Sequence, residues 1–112
     1  MKIYGIKNCN TMKKAFDFLK EKGLEYEFHD YKKAGVSEAK IKEWFKILPW
    51  EKFINKQGLT WKKLSDMEKA EITSPESAIK LMMEKTSLIK RPILEAKNEL
   101  LLGFAESAWS KL

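Results

Sequence analysis

The pattern of apolar and polar positions predicts a β-α-β unit in the first part of the chain. A short apolar, β-branched run, "KIYGI" (Lys2 to Ile6), predicts a buried strand. From Thr11 to Lys22 the apolar residues recur at helical spacing, and Gly23 is a typical helix stop. The next run, "LEYEFHDY" (residues 24–31), alternates apolar and polar positions, which predicts a strand with one buried face. The two strands of such a unit are expected to be parallel, with a right-handed crossover.

Residues 32–85 show only short helical patterns, which predicts a helical insertion. Ser37 is a plausible N-cap of a helix that Pro49 ends. "WEKFINKQG" predicts a short helix that ends at Gly58, and "TWKKLSDMEKAEI" predicts another. "TSPE" (Thr73 to Glu76) has the form of a capping box. The helix that it opens carries an apolar face of Ala78, Leu81 and Met82.

The last part of the chain predicts a hairpin and a final helix. "SLIKRPIL" indicates a strand that Pro92 interrupts, and "LLLGF" indicates a second strand after the turn "EAKNE". We therefore predict an α/β fold, a four-stranded mixed sheet (β-α-β, then β-β-α) with helices on both faces and an inserted helical subdomain. The predicted organisation is one domain, residues 1–112, with a βαβ half at 1–31, the insertion at 32–85 and a ββα half at 86–112.

Length and composition indicate an ordinary globular domain. The chain has 112 residues, of which 44% are hydrophobic, and this is enough for a core. No apolar run approaches the roughly 18 residues that span a bilayer, and the apolar start is too short for a secretory signal. A single cysteine excludes a disulfide framework. We therefore expect a cytoplasmic monomer with no membrane partner.

The charge pattern favours a solvated surface of mixed sign. Lysine and arginine number 22 against 16 acidic residues, a net charge of +6, and the lysines are interleaved with glutamates. Mild attraction of anions follows from this charge. There is no zinc-type cluster and no glycine-rich phosphate loop. No metal, no nucleotide and no direct nucleic-acid partner is therefore expected.

Cys9 is the first candidate for chemistry, because it falls between the first strand and the first helix. A helix N-terminus favours an anion such as a thiolate, and lysines at positions 7, 13 and 14 flank Cys9. A thiol in this position can have a pKa well below its usual value. A cysteine that is merely small or buried is equally compatible with the placement alone.

Arg91 and His29 are weaker candidates. Arg91 stands before Pro92 in an apolar strand, where a guanidinium requires an anionic partner or solvent. A charge that protects an edge strand from aggregation is the alternative for Arg91. His29, the only histidine, lies on the polar phase of its strand, which favours a surface or hydrogen-bonding role over that of a general base.

Several motifs resemble the ArsC-like arsenate reductase family along essentially the whole chain. They are "YGIKNCNT", "KRPIL" and "LLGF", and "FHDY" and "TWKKL" are closest to the YffB-type branch. The Spx-type regulators are similar more distantly. The resemblance implies a thioredoxin-like fold with a helical insertion and Cys9 as the nucleophile. It also implies that Arg91 binds an oxyanion or a glutathione-derived group, and that Pro92 is a cis-proline facing the cysteine.

The chain departs from this family at several positions. The arsenate reductases have a histidine where this chain has Gly5, and they have two further arginines where it has Asn55 and, approximately, Gly103. A single arginine would bind the multiply charged arsenate weakly. Spx-type regulators commonly carry a second cysteine where this chain has Met12. With one cysteine, an outside thiol must resolve any disulfide intermediate.

We therefore predict a glutathione-dependent thiol oxidoreductase with Cys9 as the single nucleophilic thiolate and glutathione as the co-substrate. Its partner would be a small thiol or an anionic substrate. The predicted substrate- and glutathione-binding residues are Arg91, Pro92, Lys7, Asn8 and Thr11. The alternatives are an arsenate reductase proper, an Spx-type regulatory protein that binds RNA polymerase without catalysis, and a retained scaffold in which Cys9 is unreactive.

Overall fold

The computed structural model describes all 112 residues and arranges them in two compact units. The sheet unit comprises Met1–Ala34 and Arg91–Leu112, and the helical unit comprises Gly35–Lys90. These divisions fall a few residues after the boundaries expected at 31 and 85. That the whole chain folds as one domain stays a prediction.

Four strands and seven α-helices make up the structure, together with two short 3₁₀ helices. In chain order the elements are β1 (Lys2–Gly5), α1 (Asn10–Glu21), β2 (Glu27–Asp30), α2 (Tyr31–Ala34), α3 (Glu38–Phe45), a 3₁₀ helix (Trp50–Phe53), α4 (Leu59–Lys62), α5 (Asp66–Ala70), α6 (Pro75–Glu84), a second 3₁₀ helix (Thr86–Leu88), β3 (Ile93–Glu95), β4 (Leu100–Leu102) and α7 (Glu106–Trp109). No helix is long and apolar enough to cross a bilayer.

The sheet is mixed and has the strand order β2-β1-β3-β4. β1 and β2 are parallel, with Lys2 opposite Glu27 and Tyr4 opposite His29. β3 is antiparallel to both β1 and β4, and it places Glu95 opposite Lys2. The predicted α/β class, the parallel β-α-β unit and the C-terminal hairpin are thereby confirmed.

One face of the sheet and the apolar face of α1 form the core of the sheet unit. Ile3 and Leu94 on neighbouring strands are fully buried, and they pack with Met12, Leu19 and Trp109. Burial of each side chain of this size stabilises the fold by about 1.5–3 kcal/mol. Because α1 is held along its length by these contacts, the position of its N-terminus relative to β1 is fixed.

The second strand is shorter than predicted. The alternating pattern predicted a strand over residues 24–31, but β2 begins only at Glu27, whose amide donates to the carbonyl of Met1 (3.0 Å). The preceding residues complete the end of α1: the Leu24 amide donates to the Leu19 carbonyl, with Gly23 in the left-handed region (φ 66°). At the other end, the Asp30 carboxylate accepts from the Lys32 amide (2.9 Å) and starts α2. β1 likewise ends at Gly5 rather than at Ile6.

The run "SLIKRPIL" is divided between the two units, so the long strand predicted there is wrong. Thr86–Leu88 is a 3₁₀ helix, and Ile89 forms an isolated antiparallel bridge with Ile54 inside the helical unit. Only Ile93–Glu95 belongs to the sheet. The interruption falls at Pro92, which has no amide hydrogen for a sheet ladder.

In the helical unit, the predicted N-cap at Ser37 is confirmed, since its side chain accepts from the Lys40 amide (3.1 Å). The helix predicted to continue to Gly58 is wrong, because the 3₁₀ helix ends at Phe53 and Ile54 is extended to form its bridge. A capping box that the sequence interpretation missed opens α5 at Ser65.

The capping box of α6 is shifted by one residue from its predicted place. Ser74, not Thr73, is the N-cap, and Ser77 replaces Glu76 as its reciprocal partner. Pro75 occupies the first turn as predicted. The buried residues of the helix are Ala78, Ile79 and Met82, whereas Leu81 is only half-buried. A serine at N3 can serve where the usual glutamate would.

Gly5 and Met12 are in close contact where β1 ends against α1. A β-carbon at position 5 would collide with Sδ of Met12 and lie 2.5 Å from its Cε. Met12 is fully buried, so its side chain occupies the space that a larger residue at position 5 would need. A side chain at position 5 therefore requires the end of the buried Met12 side chain to move.

We expect the Gly5→Ala substitution to lower the free energy of unfolding by about 1–3 kcal/mol, because Met12 must leave its rotamer. Urea denaturation measures this cost. In a Met12→Ala background the same substitution should cost less, since the colliding atoms are gone. Equal costs in the two backgrounds would contradict this explanation.

Candidate active site

Cys9 lies at the junction of β1 and α1, at the carboxyl end of a central strand. It is the N-cap of α1, with extended backbone angles (φ −141°, ψ 131°). Its carbonyl accepts the first helical hydrogen bond, from the Lys13 amide (3.0 Å). The helix N-terminus predicted at Cys9 is therefore confirmed, and the thiol is half-buried there.

The surroundings of Cys9 favour its thiolate. Partial burial raises the pKa of the Cys9 thiol, but three groups outweigh this effect and lower the pKa below its ordinary value. They are the backbone amide of Met12, the Arg91 side chain and the backbone amide of Thr11. A thiolate accepts hydrogen bonds from these donors more strongly than a thiol does, and this difference lowers the pKa of Cys9.

Arg91 reaches Cys9 because β3 pairs with β1. The Arg91–Pro92 peptide bond is cis, as the family resemblance implied. Pro92 is buried, and its carbonyl accepts from the Gly103 amide (2.7 Å). The half-buried Arg91 interacts with Cys9 both by a side-chain hydrogen bond and by its charge, and its buried Nε has no hydrogen-bond partner in the protein. The structure therefore brings Arg91, with Pro92 next to it in the chain, to the end of the sheet at which Cys9 lies.

A groove of about 510 Å³ opens beside Cys9. It is lined by Lys7, Asn8, Cys9, Asn10, Lys13, Phe16 and Asp17. The two lysines and Asp17 are exposed, so the groove presents positive charge with one carboxylate at its end. Two of the predicted binding residues, Lys7 and Asn8, lie in it.

The other flanking residues point elsewhere. Thr11 and Lys14 line a separate depression of about 500 Å³, together with Phe18 and Phe104. The backbone amide of Thr11 acts on Cys9, but the Thr11 side chain is not part of the groove beside it. Of the three flanking lysines, only Lys7 and Lys13 thus share a groove with the thiol.

His29 packs among aromatic rings on the sheet face opposite to the α1 core. Its ring centroid lies 5.0 Å from that of Tyr4 and 6.5 Å from that of Tyr31. The Tyr4 hydroxyl donates to Oε1 of Glu95 (2.7 Å). The sequence did not identify Tyr4, Tyr31 and Glu95 as a group. The only feature that points to them is the alternation of side chains along β1, which places Lys2 and Tyr4 on the face opposite to Ile3.

The two positions where the arsenate reductases carry further arginines have local structural roles. The Asn55 side chain accepts from the Gln57 amide (3.2 Å) within a turn of the helical unit. Gly103 adopts a left-handed conformation (φ 73°), and its carbonyl accepts from the Trp109 indole (3.2 Å). The structure has no group of three or more His, Cys, Asp or Glu side chains that could hold a metal ion.

Comparison with known proteins gives concordant matches. The model of the ArsC family matches residues 4–112. An uncharacterized protein of Haemophilus influenzae is 33% identical over 107 residues, which are 96% of this chain and 93% of that protein.

The structure of the YFFB (PA3664) protein is 39% identical with a TM-score of 0.91, and the match covers 98% of this chain and 96% of that one. An arsenate reductase (ArsC) related protein from Brucella melitensis is 40% identical with a TM-score of 0.78, covering 98% and 91%. The thioredoxin-like fold implied by the family resemblance is confirmed by the TM-score of 0.91.

The lowered pKa of Cys9 predicts that its alkylation rate reaches a plateau at a lower pH than that of a free thiol, whose pKa is roughly 8.5. Iodoacetamide labelling over a pH series measures the midpoint. Arg91→Ala removes a hydrogen bond and a positive charge, so the midpoint should rise and labelling below it should slow about three- to tenfold.

Arg91→Lys is the matched control, since it keeps the charge but loses the planar fork, and its midpoint should lie between the other two. A midpoint equal to that of a free thiol in the unsubstituted protein would contradict the stabilised thiolate. An unchanged midpoint in Arg91→Ala would remove Arg91 from the site.

Proposed function

Since the chain belongs to the ArsC family, we propose that it is a glutathione-dependent thiol oxidoreductase whose nucleophile is Cys9. The observation that carries this proposal is the position of the thiol, held at the N-terminus of α1 beside Arg91 with a lowered pKa. A family of thiol oxidoreductases with arsenate reductase-related members supports this reaction class. Glutathione is the proposed co-substrate because the chain has no second thiol.

The proposed reaction is a pair of thiol–disulfide exchanges. The Cys9 thiolate attacks the glutathione sulfur of a mixed disulfide R–S–S–G, forms a Cys9–S–S–G bond and releases the R–S⁻ thiolate, which takes up a proton. The thiolate of a second glutathione then attacks the glutathione sulfur of that bond. Oxidised glutathione leaves, and the Cys9 thiolate is regenerated. Overall, R–S–S–G and one glutathione give R–SH and oxidised glutathione: the disulfide bond of the substrate is broken, that of oxidised glutathione is formed, and the proton of the incoming glutathione thiol ends on R–SH.

The groups that stabilise the Cys9 thiolate also make it a good leaving group in the second exchange. In the second exchange the developing charge on Cys9 Sγ meets the amides of Met12 and Thr11 and the Arg91 guanidinium. A thiol with a lower pKa leaves faster in disulfide exchange. The site therefore supports the second exchange as well as the first attack.

The charges of the groove match those of glutathione. Glutathione carries two carboxylates and one ammonium group, and the groove offers Lys7 and Lys13 with Asp17. Ion pairs at exposed positions contribute little individually, typically about 0–1 kcal/mol, so the groove would orient the tripeptide more than hold it tightly. Weak binding is appropriate for a co-substrate that must leave after each turnover.

Arsenate is a poorer fit than a thiol substrate. Cys9 has one arginine beside it, and the position of the family's histidine is occupied by Gly5 with Met12 packed against it. A multiply charged oxyanion is usually bound by several charge-assisted hydrogen bonds. We therefore propose a disulfide substrate, with arsenate as a comparison in the assay.

Incubation with oxidised glutathione should add one glutathione to the chain by mass spectrometry, and reduced glutathione should remove it. With the mixed disulfide of glutathione and 2-mercaptoethanol as substrate, the protein should catalyse glutathione-dependent reduction, because Cys9 is populated as a thiolate. Cys9→Ser should abolish both the adduct and the turnover.

Absence of the adduct and of turnover would overturn the proposed function. Turnover of arsenate but not of the mixed disulfide would favour an arsenate reductase proper. Copurification with RNA polymerase that Cys9→Ser leaves undiminished would favour the Spx-type regulatory alternative instead.

Neighbouring lysines on α1 provide a matched test of the groove. Lys13→Gln should raise the KM for glutathione about two- to fivefold, since one exposed ion pair is lost. Lys14→Gln changes the net charge equally, but Lys14 lines the other depression, so its KM should not change. Equal effects of the two variants would show that general charge, rather than the groove, attracts glutathione.

A further inference from the structure

A polar cluster lies on the sheet face opposite to the α1 core. Because side chains alternate along a strand, Lys2 and Tyr4 of β1 share this face with His29 of β2 and Glu95 of β3. Tyr4 is almost fully buried (1% exposed), and its hydroxyl donates to the Glu95 carboxylate at 2.7 Å. A hydrogen bond of this length to a carboxyl group holds the Tyr4 hydroxyl firmly in place. The thiol exchange proposed above uses none of these groups.

Tyr31 connects this cluster to the arginine at the active site. Its side chain is buried (1% exposed), and its ring stacks on that of Tyr4 at 6.5 Å and 27°. Burial raises the pKa of Tyr31 well above its ordinary value, and the neighbouring charges also act on it: Tyr4 raises it, Arg91 lowers it and Glu95 raises it. The charges of Arg91 and Glu95 thus act in opposite directions on the pKa of Tyr31.

The electrostatic surroundings of the half-buried Arg91 change with the state of the thiol. The Cys9 thiolate supplies a negative charge only while Cys9 is ionised. In the thiol form and in the mixed disulfide that charge is absent, and a carboxylate elsewhere on the sheet then contributes more to holding the guanidinium. Glu95 provides a carboxylate that acts on the same phenol as Arg91.

We propose that Glu95 is a positioning residue that holds the Arg91 guanidinium beside Cys9 through Tyr4 and Tyr31. Glu95 accepts the hydrogen bond of the Tyr4 hydroxyl, and the Tyr4 ring stacks on that of Tyr31. The register places Tyr31, directly after Asp30, and Arg91, two residues before Ile93, at the same end of the sheet, because Asp30 pairs with Gly5 and Ile93 with Tyr4. This inference deepens the proposed function and depends on it, since a positioned Arg91 matters for a reacting thiolate. Its test nevertheless requires no turnover.

Other charged groups also face these residues. Lys2 lies opposite both Glu95 and Glu27 in the sheet, and its Nζ is 5.5 Å from the centre of the Tyr4 ring. At the thiol, the charges of the groove are Lys7, Lys13 and Asp17. None of these groove residues is changed in the variants below. A difference in the alkylation midpoint between variants therefore reports on the cluster of Tyr4, Tyr31 and Glu95.

The direction in which Glu95→Gln shifts the pKa of the Cys9 thiol distinguishes a positioning role of Glu95 from a direct electrostatic one. Removal of a negative charge alone would lower the pKa of the Cys9 thiol through space. If Glu95 positions Arg91, the guanidinium loses its place at the thiolate and the midpoint of the alkylation profile rises. We expect iodoacetamide labelling below the midpoint to slow about three- to tenfold, the loss also expected for Arg91→Ala.

Two further variants test the route from Glu95 to Arg91. Tyr31→Phe removes the hydroxyl without a change in the charge at neutral pH, and the midpoint should again rise. In an Arg91→Ala background, Glu95→Gln should produce no further rise, because there is no guanidinium left to position. Glu27→Gln is the matched charge control, since Glu27 also faces Lys2 but is exposed, and it should leave the midpoint unchanged.

A midpoint that falls or stays constant in Glu95→Gln, with an unchanged circular dichroism spectrum, would overturn the inference. So would a rise of the same size in the Arg91→Ala background. If Glu95→Gln does not fold, Tyr31→Phe carries the same expectation and the same contradiction. The proposed function can fail separately, since a protein that forms no glutathione adduct can still show the shifted alkylation profile.

Discussion

The packing of α1 on the sheet places the chemistry of this protein. Ile3 and Leu94 come from strands far apart in the chain, and both pack against the apolar face of α1. This contact fixes the N-terminus of α1 at the carboxyl end of β1, so that the amides of the first turn act on the sulfur of Cys9. The antiparallel pairing of β1 with β3 brings Arg91 to the same point. The core and the active site therefore depend on the same set of contacts.

Cys9 is held in a balance between burial and polar stabilisation. Partial burial raises the pKa of the thiol, and the amides of Met12 and Thr11 together with Arg91 lower it by more. A fully exposed thiol would be more mobile and less well oriented, whereas a fully buried one would be inert. Chain connectivity adds a further constraint, because a chain with one cysteine cannot close an internal disulfide. Any disulfide that Cys9 forms must therefore involve a thiol outside this chain.

The local patterns predicted most of the fold but less of the site. Strands β1, β2 and β4, α1 and the helix start at Cys9 followed from periodicity and from Gly23, which act over a few residues. The run "SLIKRPIL" was predicted as one interrupted strand, but only its end, in Ile93–Glu95, joins the sheet. The end of β2 was misplaced because the Asp30 side chain caps α2, and the box of α6 was misplaced because Ser77 acts where a glutamate was expected. The bond between Tyr4 and Glu95 could not be predicted, since it depends on the register of β1 against β3. By contrast, helical spacing alone indicates that Lys13, four residues after Cys9, lies on the side of the thiol while Lys14 does not.

The contact between Gly5 and Met12 also constrains how this site could diverge. The end of the Met12 side chain occupies the space that a β-carbon at position 5 would need. A larger residue at position 5 therefore requires Met12 to move or to be replaced by a smaller residue, and a shorter side chain at position 12 would leave room at position 5. Each of the two positions thus limits which residues the other can accept, so the two are expected to vary together.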